Sequence, residues 1–506
     1  NHDPVSGGMS GAPKFPSSLS TRLLYRFYRR FDDSSALMIA NKTLTKMAQG
    51  GIYDQVGGGF HRYATDPFWL VPHFEKMLYD NALLVLSYLD GYQATGDAQY
   101  RVIAEEVLDY ILRDMTSPDG GFFSATDADS LDSQGHREEG WYFTWTPGEL
   151  SQILTADELE IVILHYQVSD QGNFEGRSIL HAKGALSETA QALGLEGEQA
   201  RGLLQSARAK LYMARQTKPL PIRDEKILTS WNGLMISAFA RAGLILDRTD
   251  YINAAQRAAR FLLNNLSGED GLRRTYKEGQ TKHAGFLDDY SFFTAGLLDL
   301  FEATGEKSWL ERALDLDSHQ ERKFEDPNGG FYMTDSSQEQ LLAREMPRYD
   351  GAEPSGNSVA ALNLMRLYQL TSKTSFLDRA LRLLKAFAGN LDSRPMMLSE
   401  MLLALDFYLA KGRQVILVNT AADKSGSSHL MAQWRRVFCP NTVFIQLDES
   451  KIDELAPLIP ATQGKIPLGG KSTAYVCTEG TCQKPTSDPE EFHRQLIGDS
   501  HWLSRV

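Results

Sequence analysis

With 506 residues, 42% hydrophobic and 23% charged, the chain has the composition of an ordinary globular protein, long enough for one large domain or two to four smaller ones. A formal net charge of −13 argues against nucleic acid or an anionic membrane as the main partner. No apolar run approaches the roughly 18 residues needed to cross a bilayer.

The opening NHDPVSGGMSGAPKFP has no charged n-region or apolar h-region, so no signal peptide is read, and its abrupt start fits a fragment of a longer chain. Apolar residues then recur at helical spacing. They predict helices over 19–30, 35–49, 73–95, 97–115, 197–214, 229–247, 250–266, 286–304, 308–324, 355–370, 374–389 and 396–410. Short joins such as Thr95-Gly96-Asp97 and Thr304-Gly305-Glu306 make antiparallel helical hairpins. The other connections are long and alike. GGIY and GGGFHRY follow the second helix, DGGFFSATDAD and GWYFTW the fourth, and DGLRRTY and GFLDDY come next, before NGGFYMTD and REMPRYDGAEPSGN. Glycines supply the tight turns, and the alternating aromatics suit small hairpins.

Alternation of short and long joins puts every long connection at the same end. Repeated hairpins bury their apolar faces on their neighbours. The expectation is a mainly α protein: an (α/α)6 toroid over 1–411 with Gly-aromatic β-hairpin loops on one rim. Beyond Gly412 the segments 414–419 (QVILVN), 442–447 (TVFIQL) and 472–477 (STAYVC) read as buried strands of a small C-terminal α/β appendage over 412–506. The three cysteines, Cys439, Cys477 and Cys482, are too few for a disulfide framework and suit a reducing, cytoplasmic setting. Cys477 and Cys482 read as a redox couple or half a metal site; without a second ligand pair, no metal is expected.

GGIYDQVGGGFHRYATDPFWLVPHFEKMLYDNA, DGGFFSATDADS, EKILTSWNGLMISA, GFLDDYSF, PSGNSVAALNL and CQKPTSDPEEF resemble the YyaL-like, or spermatogenesis-associated thioredoxin-domain protein, family over about Gly7 to Phe492. The resemblance implies a six-hairpin toroid similar to N-acylglucosamine 2-epimerases and several glycoside hydrolases. It also implies a thioredoxin-like domain upstream as a partner. It implies no particular reaction, because fold analogy alone supplies none.

The chemistry-bearing residues gather where inner helices open. His61 and Arg62 follow the triple glycine. His73 and Glu75 open the third predicted helix, whose N-terminus lowers a nearby imidazole pKa, and Asp80 and Asn81 lie further along it. Asp127 and Asp129 form an acidic turn short of a calcium loop, and Trp141 belongs to an aromatic wall suited to sugar stacking. Trp231 and Asn232, then Asp288, Asp289 and Tyr290, then Glu353, Ser355 and Asn357 open later helices. Arg348 is a candidate for an oxyanion or phosphate. N-caps account for some of these residues, but four such openings at one rim read as convergence on a pocket. His73 with His283 would suit proton abstraction and return beside a carbonyl. Asp289 or Glu353 with Glu75 would suit glycoside hydrolysis. There is no Walker A loop, dinucleotide fingerprint, HExxH or nucleophile elbow in context, and no cofactor is expected. The reading is a carbohydrate-active epimerase, isomerase or hydrolase for a small sugar, with epimerisation slightly favoured by the histidines. The alternative is a non-catalytic binding module that partners a thioredoxin-like domain.

Overall fold

The computed structural model describes residues 2–18, 20–335 and 343–498; position 19 of the first expected helix and positions 499–506 of the expected appendage lie outside them. Ser20 and Asp33 set the pattern by accepting backbone N–H bonds at the starts of α1 (Thr21–Phe31) and α2 (Ser34–Gln49), donors that a helix cannot pair internally. A two-residue turn joins them into a hairpin. α3 (Leu78–Thr95) and α4 (Ala98–Asp114) repeat it across Gly96 and Asp97. The chain then inserts α5 (Pro147–Ile153), α6 (Ala156–His165), α7 (Leu186–Leu193) and α8 (Gly197–Arg215), which bury Leu150, Ile161, Val162 and Leu211 in a core of their own. Hairpins resume with α9 (Thr229–Leu246) and α10 (Thr249–Asn265), α11 (Leu287–Thr304) and α12 (Lys307–Phe324), and α13 (Gly356–Thr371) and α14 (Thr374–Ala386). The short α15 (Ala388–Ser393) and a 3-10 turn at Pro395–Leu398 lead into α16 (Ser399–Leu409).

Packing closes these helices into a ring. α3 lies against α1 and α9, α11 against α9 and α13, and α16 against α13 and α1. Thus α1, α3, α9, α11, α13 and α16 form the inner wall, and α2, α4, α10, α12 and α14 each back the inner helix before them. The expected mainly α toroid is what folds, with five complete hairpins and a sixth inner helix that leads directly into the C-terminal sheet. α9 and α11 are buried on nearly every face, as helices enclosed on all sides should be. Among the described residues, no helix is long and apolar enough to cross a membrane.

The long connections carry short strands. β1 (Tyr63–Ala64) pairs with β2 (Pro72–His73); β3 (Lys76–Met77), β4 (Ala125–Thr126) and β7 (Arg223–Asp224) share a sheet; β5 (Asp129–Leu131) and β6 (Arg137–Glu139) form a hairpin. β8 (Ile227–Leu228), β9 (Ser267–Gly268), β10 (Gly271–Lys277) and β11 (Gln280–Ala284) make a further sheet. β3 and β8 run directly into α3 and α9, and β11 leads to α11. The expected helix over 73–95 is corrected here: it starts at Leu78, because ladder pairing claims the backbone before it. Tyr63 pairs with His73, Arg62 N–H bonds Glu75 C=O, and Lys76 pairs with Thr126. His73 is therefore a strand residue.

At the C-terminus, β12 (Arg413–Asn419) runs parallel to β13 (Thr442–Asp448) and antiparallel to β14 (Thr473–Thr478), with β15 (Thr481–Cys482) at the edge. Val415, Ile416, Leu417 and Val418 are all fully buried, the unbroken apolar run of a strand covered on both faces. Of the two sequence readings for Cys477 and Cys482, half a metal site is corrected, because the two sulfurs are joined in a disulfide. α17 (Lys424–Arg436), α18 (Ile452–Leu455) and α19 (Pro489–Ile497) complete this part. Its core is continuous with that of the toroid, from Phe239 and Leu367 to Val415 and Ile445.

Candidate functional site

One local device, used four times, builds the rim. After each glycine turn, the next residue's backbone N–H is held by a side chain from the first turn of an inner helix. Phe60 N–H donates to Asn81 Oδ1 at 2.7 Å, Phe122 to Asn232 at 2.8 Å and Phe331 to Asn357 at 2.8 Å; Leu272 N–H donates to the Tyr290 hydroxyl at 2.8 Å. Each asparagine also donates Nδ2–H to the same residue's C=O, since a carboxamide matches both sides of a peptide. Glycine is required beside the clamp: a Cβ on Gly271, at φ 103°, would lie 2.1 Å from the Tyr290 hydroxyl. Asn232, Tyr290 and Asn357, expected to bind substrate, are almost completely buried, with their polar atoms spent on the loops.

Fixed in this way, the first turns of α3, α9 and α11 and the approach to α13 bring carboxyl and aromatic groups together. Trp231 Nε1–H donates to Glu353 Oε2 at 2.8 Å, and its ring meets Tyr79 edge-on at 4.8 Å. Burial pushes the Glu353 carboxyl up to about 7, against the Trp231 bond and the Arg274 charge. Asp288 is also pushed up to about 7, by burial and by the charges of Asp289 and Glu353, with Arg274 opposing. Asp80 is 3% exposed, and burial holds its pKa well above the carboxylate range; Arg62 opposes the shift and Glu353 adds to it. Among the described residues Asp80 Oδ2 has no hydrogen-bond partner, and the side chain lines a cavity with Arg22, Asp350 and Glu400. Here, three acids have too little positive charge beside them to stay ionised cheaply.

Asp289 belongs to the scaffold. It accepts Ser230 N–H at 2.9 Å and Phe286 N–H at 2.8 Å, lies 3.2 Å from Arg274, and is fully buried. Next to the acid group, Arg62 pairs with Glu75 at 2.8 Å. Glu75 reaches His73 Nε2 at 3.2 Å, and His73 Nδ1 meets Glu139 at 2.7 Å. Both imidazole nitrogens therefore face carboxylates, and neither is open to a substrate proton.

Several expected residues stand elsewhere. His283 is exposed on β11 and has no side-chain hydrogen bond or ion pair among the described residues. His61 is 1% exposed between the Phe74 and Phe143 rings; burial and Lys76 push its pKa down to about 3. Asp127 and Asp129 are ion-paired to Arg137 across the β5–β6 hairpin, at 2.8 and 3.5 Å. Trp141 lies under the Arg177 guanidinium at 4.1 Å. Arg348 stacks on Phe387 and donates to Asn390 at 3.3 Å. The sequence reading missed Tyr79 and Arg274; the double arginine of GLRRTY was the available signal.

No family model matches the chain. It is 37% identical to spermatogenesis-associated protein 20 of Homo sapiens, over 98% of this chain and 67% of that protein, and 35% identical to the Mus musculus protein over the same shares. An uncharacterized protein of Caenorhabditis elegans is 28% identical over 96% of this chain and 70% of its own length. Among solved structures, cellobiose 2-epimerase from Bacillus thermoamylovorans superposes with a TM-score of 0.48 at 11% identity, over 77% of this chain and 82% of that one. The GH76 α-mannanase of Bacteroides thetaiotaomicron gives 0.42 at 13% identity, over 74% of each chain.

Proposed function

The chain belongs to the spermatogenesis-associated protein 20 family, and on that premise we propose that its rim performs acid–base chemistry on a small carbohydrate, specifically hydrolysis of a glycosidic bond. One observation carries the reading. Asp288 and Glu353 are both pushed up to about 7, and the Glu353 charge acts on Asp288, so the two carboxyls titrate as a coupled pair near neutral pH, where loss of the first proton leaves the acid and the carboxylate that glycoside hydrolysis uses.

Local bonding divides the roles. Indole N–H is a donor only, so Glu353 Oε2 accepts from Trp231 and the proton of the acid sits on Oε1, ready for a leaving oxygen. Asp288 accepts the backbone N–H of Gly356 at the start of α13, where the helix dipole favours the anion; it serves as base or nucleophile. Trp231, partly exposed, offers an apolar face for a sugar ring, with the buried Tyr79 ring packed edge-on against it. Asp80, kept neutral by burial, lies behind this group in a cavity with Arg22, Asp350 and Glu400. Epimerisation by His73 and His283 is the weaker reading: His73 is blocked by Glu75 and Glu139, and His283 stands exposed on a strand.

The test is proton NMR of the purified chain with a panel of glycosides and sugar phosphates. New anomeric signals, lost in Glu353→Gln and Asp288→Asn, are expected. Deuterium entering beside a carbonyl without glycoside cleavage would replace hydrolysis with epimerisation, and a silent panel would remove the sugar reading.

A further inference from the structure

Far from the rim, the C-terminal sheet holds two sulfurs in a different setting. Cys477 and Cys482 face each other as a cross-strand pair of β14 and β15 and are joined as a disulfide. The hairpin does not need this bond for closure: Glu479 and Gly480, both at positive φ, make the tight two-residue turn such hairpins favour, and Thr478 pairs with Thr481. The two cysteines differ sharply. Cys477 is 2% exposed, whereas Cys482 is partly exposed beside Lys465, whose Nζ–H donates to Cys482 Sγ at 3.2 Å. Lys465 is itself positioned over the Tyr475 ring at 4.9 Å. Both cysteines border a groove also lined by Tyr368, Leu377, Phe407 and Gln414, Cys482 being the more accessible of the two.

We propose that Cys477–Cys482 is a redox-active disulfide that exchanges with a dithiol reductant, Cys482 being the nucleophilic sulfur and Cys477 the resolving one. An exposed sulfur beside an ammonium and a buried partner without one is the asymmetry such exchange uses. One thiolate of the dithiol attacks Cys482 Sγ, forming an intermolecular S–S bond as the Cys477–Cys482 bond breaks. The released electron pair stays on Cys477 Sγ, which takes a proton from water. The dithiol's second thiolate then attacks its own sulfur in the mixed disulfide and releases Cys482 as a thiolate beside the Lys465 ammonium. Two electrons pass from the dithiol, which ends as a disulfide. In reverse, the Cys482 thiolate attacks a disulfide and Cys477 resolves the adduct.

The test is thiol trapping and peptide mapping of the intact chain after exposure to dithiothreitol or, separately, to a C-x-x-C dithiol peptide. Reduction of the folded protein by either bears the proposal out, and the faster reagent tells a protein reductant from a small one. In the reduced chain at neutral pH, Cys482 should be alkylated about tenfold faster than an ordinary thiol, and Lys465→Met should abolish the advantage. In Cys477→Ser, Cys482 should accumulate as a mixed disulfide. Should Lys465→Met fold poorly, the pH dependence of Cys482 alkylation relative to Cys477 in the unaltered chain decides. A disulfide that resists both reductants until the protein unfolds would overturn the proposal, as would Cys482 alkylation no faster than that of Cys477.

Discussion

Asp80 and Asp90 stand on the same helix, α3, and are 3% and 0% exposed, yet their carboxyls are driven in opposite directions. Burial raises both. At Asp90 it is outweighed by Arg241 at 3.0 Å, Arg22 at 3.2 Å and Arg26 at 3.6 Å, so the carboxyl titrates below its ordinary value. Asp80 has a single cation, Arg62, to oppose burial, helped by Tyr79, while Glu353 and Glu75 add to the shift, and its pKa is held well above the carboxylate range. Along the axis Arg366 bridges Asp299 and Glu302 at 2.7 and 2.8 Å, yet burial still raises Glu302; the rim raises Asp288 and Glu353. The sign of the shift at each buried acid is set by how many cations face it: three arginines outweigh burial at Asp90, and fewer do not at Asp80 or Glu302.

The largest expected effect that sharpens this contrast is on turnover: Glu353→Gln should lower kcat about 10²- to 10⁴-fold, the usual loss of a general acid, with denaturant stability no lower than that of the wild type. Next, Asp90→Asn strands buried arginines and should cost about 3–5 kcal/mol of stability in urea unfolding. Asp80→Asn, replacing an already neutral group by its isostere, should cost less than about 1 kcal/mol; equal losses at the two positions would erase the contrast. Asn232→Ala, which frees both sides of the Phe122 peptide, should cost about 2–4 kcal/mol.

A smaller effect is the pH dependence of folding. Asp288 and Glu353 have folded pKa values above their unfolded ones, so the stability they contribute is complete below the unfolded carboxylate value and is lost as pH rises through about 7. Asp90 has the opposite sign: its contribution is present above the unfolded value and is lost in acid. Thermal melts should therefore decline from pH 5 towards pH 8 in the wild type, and less so in the Asp288→Asn, Glu353→Gln double variant. An unchanged slope in that variant would assign the titration to other groups.

The toroid was legible because long apolar stretches mark most inner helices and because short and long joins alternate. The insertion between α4 and α9 was only partly read, although Thr146 with Glu149 and Thr155 with Glu158 form capping boxes at α5 and α6, a spacing visible in the letters alone. Trp231, Asp288 and Glu353 were legible as polar openings of apolar helices; Trp231 and Glu353 meet through a hydrogen bond, and the Glu353 charge acts on Asp288. Asn232, Tyr290 and Asn357 carried the same signature for a different reason: they hold glycine loops. Their shared placement behind a Gly-aromatic turn was the clue that separates clamp from pocket. His73 was misplaced because helical spacing continues through residues whose backbone is claimed by strands, and pairing between distant segments leaves no trace in local periodicity.

The most direct test of the central claim is infrared difference spectroscopy of the carboxyl band, titrating wild type, Asp288→Asn and Glu353→Gln from about pH 5 to about pH 9. Protonated carboxyl absorption that persists to near neutrality and is diminished in each variant is the predicted result. A wild-type protein with no protonated carboxyl left above about pH 5, or a band unchanged in both variants, would contradict the account, because the rim would then hold no acid at neutral pH.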